Sequence, residues 1–294
     1  MTLLAQTLVL GVLQGGLYAL MAMGLSLIFG VLRAVNFAHG EMAMFGAYAA
    51  FFAVSVLGAP LPLAIVAAGL VGAVTGFLTN RFILAPIYRR RMDNRDEFVV
   101  VSTFMLSQFL IAAATLVFGT AYRRVPGFWD QNLRLFGVIF LSGNRLVAFA
   151  AAMLAVGALF YVVHRTDVGR AWRALTQNPL GAASVGIDVR RYADLAFATA
   201  GALTGVAAAL MAPLGVVYPG LGVTVVVKAF VVVIVGGLGS IPGALVAGLL
   251  LGVVEAAGSV FVSSSYTEAY GPMLMIAVLL CRPAGLFGLA QRRV

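Results

Sequence analysis

Charge is scarce in this sequence. Asp, Glu, Lys and Arg make up 10% of the residues against 62% apolar, and mean hydropathy is +1.05. A soluble domain carries roughly a quarter charged residues. A fold this poor in charge cannot cover itself with polar surface, which excludes the soluble globular class and leaves a polytopic membrane protein. Lysine is nearly absent: Lys228 stands alone, in VVVKAFVVV rather than after a glycine-rich loop, so no phosphate-binding P-loop can be built. Two distant histidines and one cysteine, Cys281, cannot make a Cys/His zinc site or an internal disulfide. No GxSxG occurs, so a nucleophile elbow is missing. No catalytic constellation remains, and the expectation is a protein that is not an enzyme and holds no metal.

What charge there is leans basic, net +9. The arginines are scattered among apolar spans, which fits the positive-inside bias of membrane proteins better than a nucleic-acid surface. MTLLAQTLVLGVLQGG has no basic residue ahead of its apolar run, so residues 3–29 are expected to be a retained first span rather than a secretory signal.

Apolar runs at 3–29, 42–57, 63–86, 98–119, 145–163, 192–214, 223–235, 244–262 and 271–280 predict an all-α bundle of eight or nine transmembrane helices, forming one domain over 1–294. The 223–235 run is short and valine-rich. An open strand in lipid would leave its backbone unpaired, so the prediction is a short or broken helix. The arginine-rich segments 88–97 and 164–191, with Arg282, Arg292 and Arg293, are assigned to the cytoplasm. The segment 120–143 is placed outside, as is the N-terminus. GxxxG pairs at Gly11/Gly15, Gly72/Gly76, Gly201/Gly205 and Gly248/Gly252 predict close helix contacts.

Two stretches interrupt the apolar pattern. VLRAVNFAHGEMAMFG (31–46) carries Asn36, His39 and Glu41; GGLGSIPG (236–243) carries Gly236, Gly237, Gly239 and Ser240. Broken helices at membrane depth occur where protein or a water-filled cavity covers them, and paired breaks point to a transport pathway. The other reading is an interfacial loop and a tight turn. His39 and Glu41 suit a proton relay or, more simply, a satisfied pair near a span end. Lys228 and Glu255 lie inside apolar runs and would pair with each other across helices or meet a substrate. Residues 164–191 are a patterned loop, with Arg170, Ala171, Ala174, Leu175 and Asn178 on one side of a short helix that Pro179 ends. It is either a solvated basic loop or a docking surface for a cytoplasmic partner.

GLYALMAMGLSLIFGVLRAVNFAHGEMAMFGAY, GRAWRALTQNPLGAASVGIDVRR and KAFVVVIVGGLGSIPGALVAGLLLGVVEA, in that order, resemble the LivH-type permease subunits of branched-chain amino acid ABC importers. The resemblance implies an inner-membrane permease that pairs with a LivM-type second permease, two ATP-binding cassette subunits and a periplasmic substrate-binding protein. ATP would be bound and hydrolysed on those partners, with no cofactor on this chain. Gly169, Arg170, Arg173, Ala174, Asn178, Pro179, Ala183, Gly186 and Ile187 would face the ATPase, although PLGAASVGIDVRR differs from the EAA loop of other ABC importers. LivH-like permeases also serve urea, short amides and aromatic or other carboxylates. A stand-alone channel or secondary transporter, with His39, Glu41 and Lys228 coupling ions, is the alternative of another class.

Overall fold

A computed structural model describes residues 2–89, 93–127, 129, 131–135 and 139–288. Arg90 and Arg91 of the first charged loop, and Arg292 and Arg293 near the C-terminus, lie outside the described residues.

The chain is mostly helical. α1 (Thr2–Leu32) is apolar on every side, and it is buried on every side over most of its length. α2 (His39–Phe51) runs on through a π-helical turn to Val56, and α3 (Leu61–Leu78) passes through a second π segment, Thr79–Leu84, into α4 (Ala85–Arg89). α5 (Arg95–Phe118) precedes a two-stranded antiparallel hairpin, β1 (Asn132–Leu135) and β2 (Ile139–Ser142). The expectation of purely helical structure with a plain loop at 120–143 is corrected here. Asn132–Leu135 pair with Ile139–Ser142 as antiparallel strands, and β2 packs against α1 and α6 with Leu141 buried.

α6 (Gly143–Arg165) leads to two short helices, α7 (Asp167–Gln177) and α8 (Pro179–Ser184), and then to α9 (Val189–Met211), α10 (Leu221–Gly236), α11 (Ile241–Phe261) and α12 (Thr267–Cys281). Six helical runs are long and apolar enough to cross a membrane: 3–32, 61–89, 95–118, 143–165, 189–214 and 241–261. α10 is apolar but shorter.

The four glycine pairs meet two by two. Gly11 and Gly15 of α1 lie against Gly248 and Gly252 of α11, and a Cβ added at Gly15 would sit 2.7 Å from the Gly248 carbonyl oxygen. Gly72 and Gly76 of α3 lie against Gly201 and Gly205 of α9, where any added Cβ would meet main-chain atoms. With no hydrophobic force between helices in lipid, such close backbone packing is what holds them.

Arg123 and Val217 exchange both main-chain hydrogen bonds (2.9 and 2.8 Å), so the segments after α5 and after α9 sit at one end of the bundle. α7 lies at the other end, beside the last turn of α1, and α8 packs against α7 and α9.

Candidate functional site

The polar interruption at 31–41 is a break buried within the bundle. α1 ends at Leu32, and Arg33 takes a left-handed conformation (φ 52°) that reverses the chain. Residues 33–38 then climb back into the bundle before His39 starts α2. Their partners fix the level. The Phe37 amide donates to Thr103 Oγ1 (3.2 Å), Ser107 donates to Glu41 Oε1 (2.8 Å), and His39 Nε2 lies 3.2 Å from the Met21 carbonyl oxygen and 2.9 Å from Thr204 Oγ1. Thr103 and Ser107 stand roughly 12 and 18 Å along α5 from its start, at 1.5 Å per residue. These bonds bury the segment inside the bundle, beside the middle of α5.

Asn36, His39 and Glu41 are fully buried. Carbonyls only accept, so the bond to Met21 places the proton of His39 on Nε2. Thr204 spends its own hydrogen on the Ala200 carbonyl (2.8 Å), so its oxygen accepts from the same Nε2–H. His39 Nδ1 is left as a bare acceptor. Asn36 Oδ1 accepts from the Ala38 amide (3.1 Å) while, among the described residues, its Nδ2 and Glu41 Oε2 have no partner. Three unsatisfied polar atoms within six residues are unusual, since buried polar groups are nearly always paired. Gly222 on α10 makes room for the carboxyl of Glu41: a Cβ there would approach its Cδ to 2.7 Å. Phe37 fills the gap below, with its ring 5.2 Å from Phe230 and 6.1 Å from Phe104.

α10 separates this break from a second polar cluster. Gly222, Val226 and Phe230 face the break. Lys228, about 200° around the helix from Val226, points to the other side. There Lys228 Nζ donates to Glu255 Oε1 (2.6 Å) and lies 3.6 Å from Glu268, while Tyr18 Oη donates to Glu255 Oε2 (2.7 Å). The expected Lys228–Glu255 pair thus forms, joining α10 to α11 and, through Tyr18, to α1. Lys228→Met strands a nearly buried carboxylate, and the expected loss is about 2 kcal/mol in detergent unfolding experiments, below the full range for buried pairs because Tyr18 still serves Glu255. Lys228→Met with Glu255→Gln should recover part of that loss. Additive losses would show that the pair contributes nothing.

The glycine-rich break 236–243 sits at the far end of α10, roughly 21 Å from Gly222 by helix rise, so it does not join Asn36, His39 and Glu41. Gly237 and Gly239 adopt φ 100° and 80°, which a side chain would oppose, and Ser240 Oγ caps α11 by accepting from the Gly243 amide (3.1 Å). The C-terminal segment ties the turn down: the amides of Leu286 and Phe287 donate to the carbonyls of Val235 and Gly236 (2.8 and 3.0 Å). A Cβ at Gly30 would lie 3.5 Å from the Gly239 oxygen and 3.6 Å from Thr176 Oγ1, which puts this turn beside the end of α1 and beside α7.

In the 164–191 segment, α7 buries Gly169, Ala171, Trp172 and Leu175, and Trp172 Nε1 donates to the Tyr192 carbonyl (2.9 Å). The one-sided grouping of Arg170 with Ala171 and Leu175 is corrected: Arg170 is exposed while the other two are buried, because the buried face of α7 is centred on Trp172 and Leu175. Gly169 is buried against the carbonyls of Val162 and Val163, and the half-buried Arg173 donates to the Val163 carbonyl. Arg170, Asn178, Pro179, Ala183 and Gly186 are exposed, while Ala174 and Ile187 are half-buried. Leu180 and Val185, 84% and 77% exposed, are apolar tips on this face.

Sequence reasoning missed a buried acid. Asp194 on α9 accepts from Asn80 Nδ2 (2.7 Å) and pairs with Arg81 (3.2 Å) from the second π segment. An acid inside YADLAFATA was the available signal.

Residues 7–282 match the family model described as branched-chain amino acid transport system / permease component. The chain is 33% identical to the high-affinity branched-chain amino acid transport system permease protein BraD of Pseudomonas aeruginosa, over 96% of this chain and 95% of that protein. It is 32% identical to the permease protein LivH of the corresponding Escherichia coli K12 system, over 95% and 93%. It is also 26% identical to LivM of that organism, over 94% of this chain and 68% of LivM.

Proposed function

Because this chain belongs to the branched-chain amino acid transport permease family, we propose that it passes branched-chain or related hydrophobic amino acids across a bacterial inner membrane as half of an ABC importer. A LivM-type permease completes the pore, a periplasmic binding protein delivers the substrate, and two ATP-binding subunits on the α7/α8 side supply the energy. The similarity to LivH and to LivM alike supports a pair of related permeases. We read the six long spans together with α2, α10 and α12 as nine crossings, which would set the termini on opposite faces, and the arginine-rich 164–191 segment, taken as cytoplasmic, supports an outer N-terminus and an inner C-terminus.

The observation that carries the pathway is the set of three unsatisfied polar atoms on Asn36, His39 and Glu41 at the buried start of α2. Groups of this kind inside a membrane line routes for polar cargo. Gly236, Gly237, Gly239 and Ser240 line the far, cytoplasmic end of the same route, which α10 connects to the break.

The test is leucine uptake into liposomes holding the permease pair and its ATPases, with binding protein outside and ATP inside. Uptake should require all components. Asn36→Ala should lower it about tenfold, the equivalent of one lost polar contact of 1.4 kcal/mol in the transport step. ATP-independent uptake by this chain alone would overturn the importer reading in favour of a channel or secondary transporter.

A further inference from the structure

A cavity of about 350 Å³ opens at the end of the bundle opposite α7, between the first half of α1, the second half of α11 and the start of α6. Its wall carries Gln14, Tyr18, Arg145, Glu255 and Ser259, and Leu10 and Val260 supply apolar surface. None of these groups belongs to the break at 31–41.

The charges on this wall are unevenly shared. Arg145, in the first turn of α6, makes no ion pair or hydrogen bond among the described residues. A cation there also opposes the helix dipole, so no described residue stabilises its charge. On the facing side, Glu255 and Glu268 share the single cation Lys228. That side is therefore short of positive charge by one, and the Arg145 side is in excess by one. Glu255 has further capacity as well. A carboxylate offers about four acceptor positions, and Lys228 and Tyr18 occupy two.

A cavity with a spare cation on one wall, a spare anionic acceptor on the other and apolar surface between complements a zwitterion with an apolar side chain. We infer that this cavity is a receiving site for the free amino acid, with Arg145 taking the α-carboxylate and Glu255 the ammonium. The inference rests on the amino-acid reading above. Tyr18 connects the two regions: it lies one turn of α1 before Met21, whose carbonyl holds His39. The cavity is thus a first station on the outer side, ahead of the break.

The probe is photo-leucine, applied to the assembled permease and ATPases in phosphatidylcholine/phosphatidylglycerol nanodiscs, with labelled peptides mapped by mass spectrometry. Labels should fall within 7–18 or 252–260. Leucine should compete well, and isopentylamine (no carboxylate) and 4-methylpentanoate (no ammonium) poorly. Arg145→Gln should cut this labelling roughly tenfold or more, the usual worth of a charge-assisted hydrogen bond, and should erase the preference for leucine over isopentylamine. Arg145→Lys should retain much of it, which separates charge recognition from misfolding.

Labelling unchanged in Arg145→Gln, or confined to other segments, overturns the inference. So does native mass spectrometry showing phosphatidylglycerol retained by the wild type and lost from Arg145→Gln while labelling is elsewhere. ATP-driven leucine uptake is measured on the same preparation. Uptake without cavity labelling sinks the cavity alone, whereas failure to take up leucine sinks the amino-acid reading and this inference with it.

Discussion

Gly201→Leu is expected to destabilise the permease by about 3 kcal/mol or more, at the upper end of what overpacking does. The position has no soft neighbour. Its Cβ direction runs into the main chain of Gly72, with the Gly76 Cα at 3.3 Å, and Gly205 runs in the same way into the backbone of Ala68. Side chains can rotate away from an added methyl group, but a carbonyl inside a helix cannot. α3 and α9 would have to separate along their whole contact, and α3 has mainly α9 and α2 to pack against. In lipid the separated faces gain no hydrophobic compensation, because acyl chains are as apolar as the lost partner. Gly157→Ala on α6 is the control, since nothing lies within 4 Å of its Cβ position. Replacing a helical glycine in open space should be neutral or stabilising by up to about 1 kcal/mol. The comparison is made by thermal unfolding in one detergent. Equal stability of the two variants would refute the backbone-contact account of the glycine pairs.

Those pairs were legible because small residues four apart mark a helix face meant for close approach. Which pair met which was not legible, since spacing specifies nearness and not the mate. The span limits followed from apolar length, and the short α10 followed from the rule that backbone in lipid must pair internally. The site was legible only in composition. Asn36, His39 and Glu41 stood out as polar residues among apolar ones, but depth is set by Met21, Ser107, Thr103 and Thr204, and hydrogen bonds 18 to 165 residues apart leave no periodic trace. The kinship between the two glycine-containing breaks was one of composition alone: one is a buried restart of a helix, the other a turn pinned by the C-terminal segment. Asp194 escaped notice because its partners Asn80 and Arg81 lie more than 110 residues away, on a π segment whose register no helical wheel predicts.

Deleting Gly181–Gly186 should abolish ATP-coupled uptake, by on the order of a hundredfold, while leaving the protein in the membrane. The loss is that of an interface anchor worth 2 kcal/mol or more. α8 is suited to such a role. Asn178 caps it by accepting from the Gly181 amide (2.9 Å), Pro179 starts it, and Leu180 and Val185 project from either end into open space. The deletion removes this exposed piece but spares Trp172 and Leu175, which hold α7 to the bundle. A milder form, Leu180→Asp with Val185→Asp, keeps the backbone and should give most of the same loss. The route inward is short. α7 touches the end of α1 at Gly30, Gly30 adjoins Gly239, and the turn there begins at the last residue of α10. α10 is a rod roughly 24 Å long by helix rise, and its opposite end holds Gly222 against Glu41. A push on α8 that tilts α10 therefore moves the wall of the buried break without any change in the break itself. Purified complexes of the deletion variant should bind the loaded binding protein as the wild type does, yet fail to accelerate ATP hydrolysis in response. Normal uptake by this variant would sink the assignment of α8 to ATPase coupling.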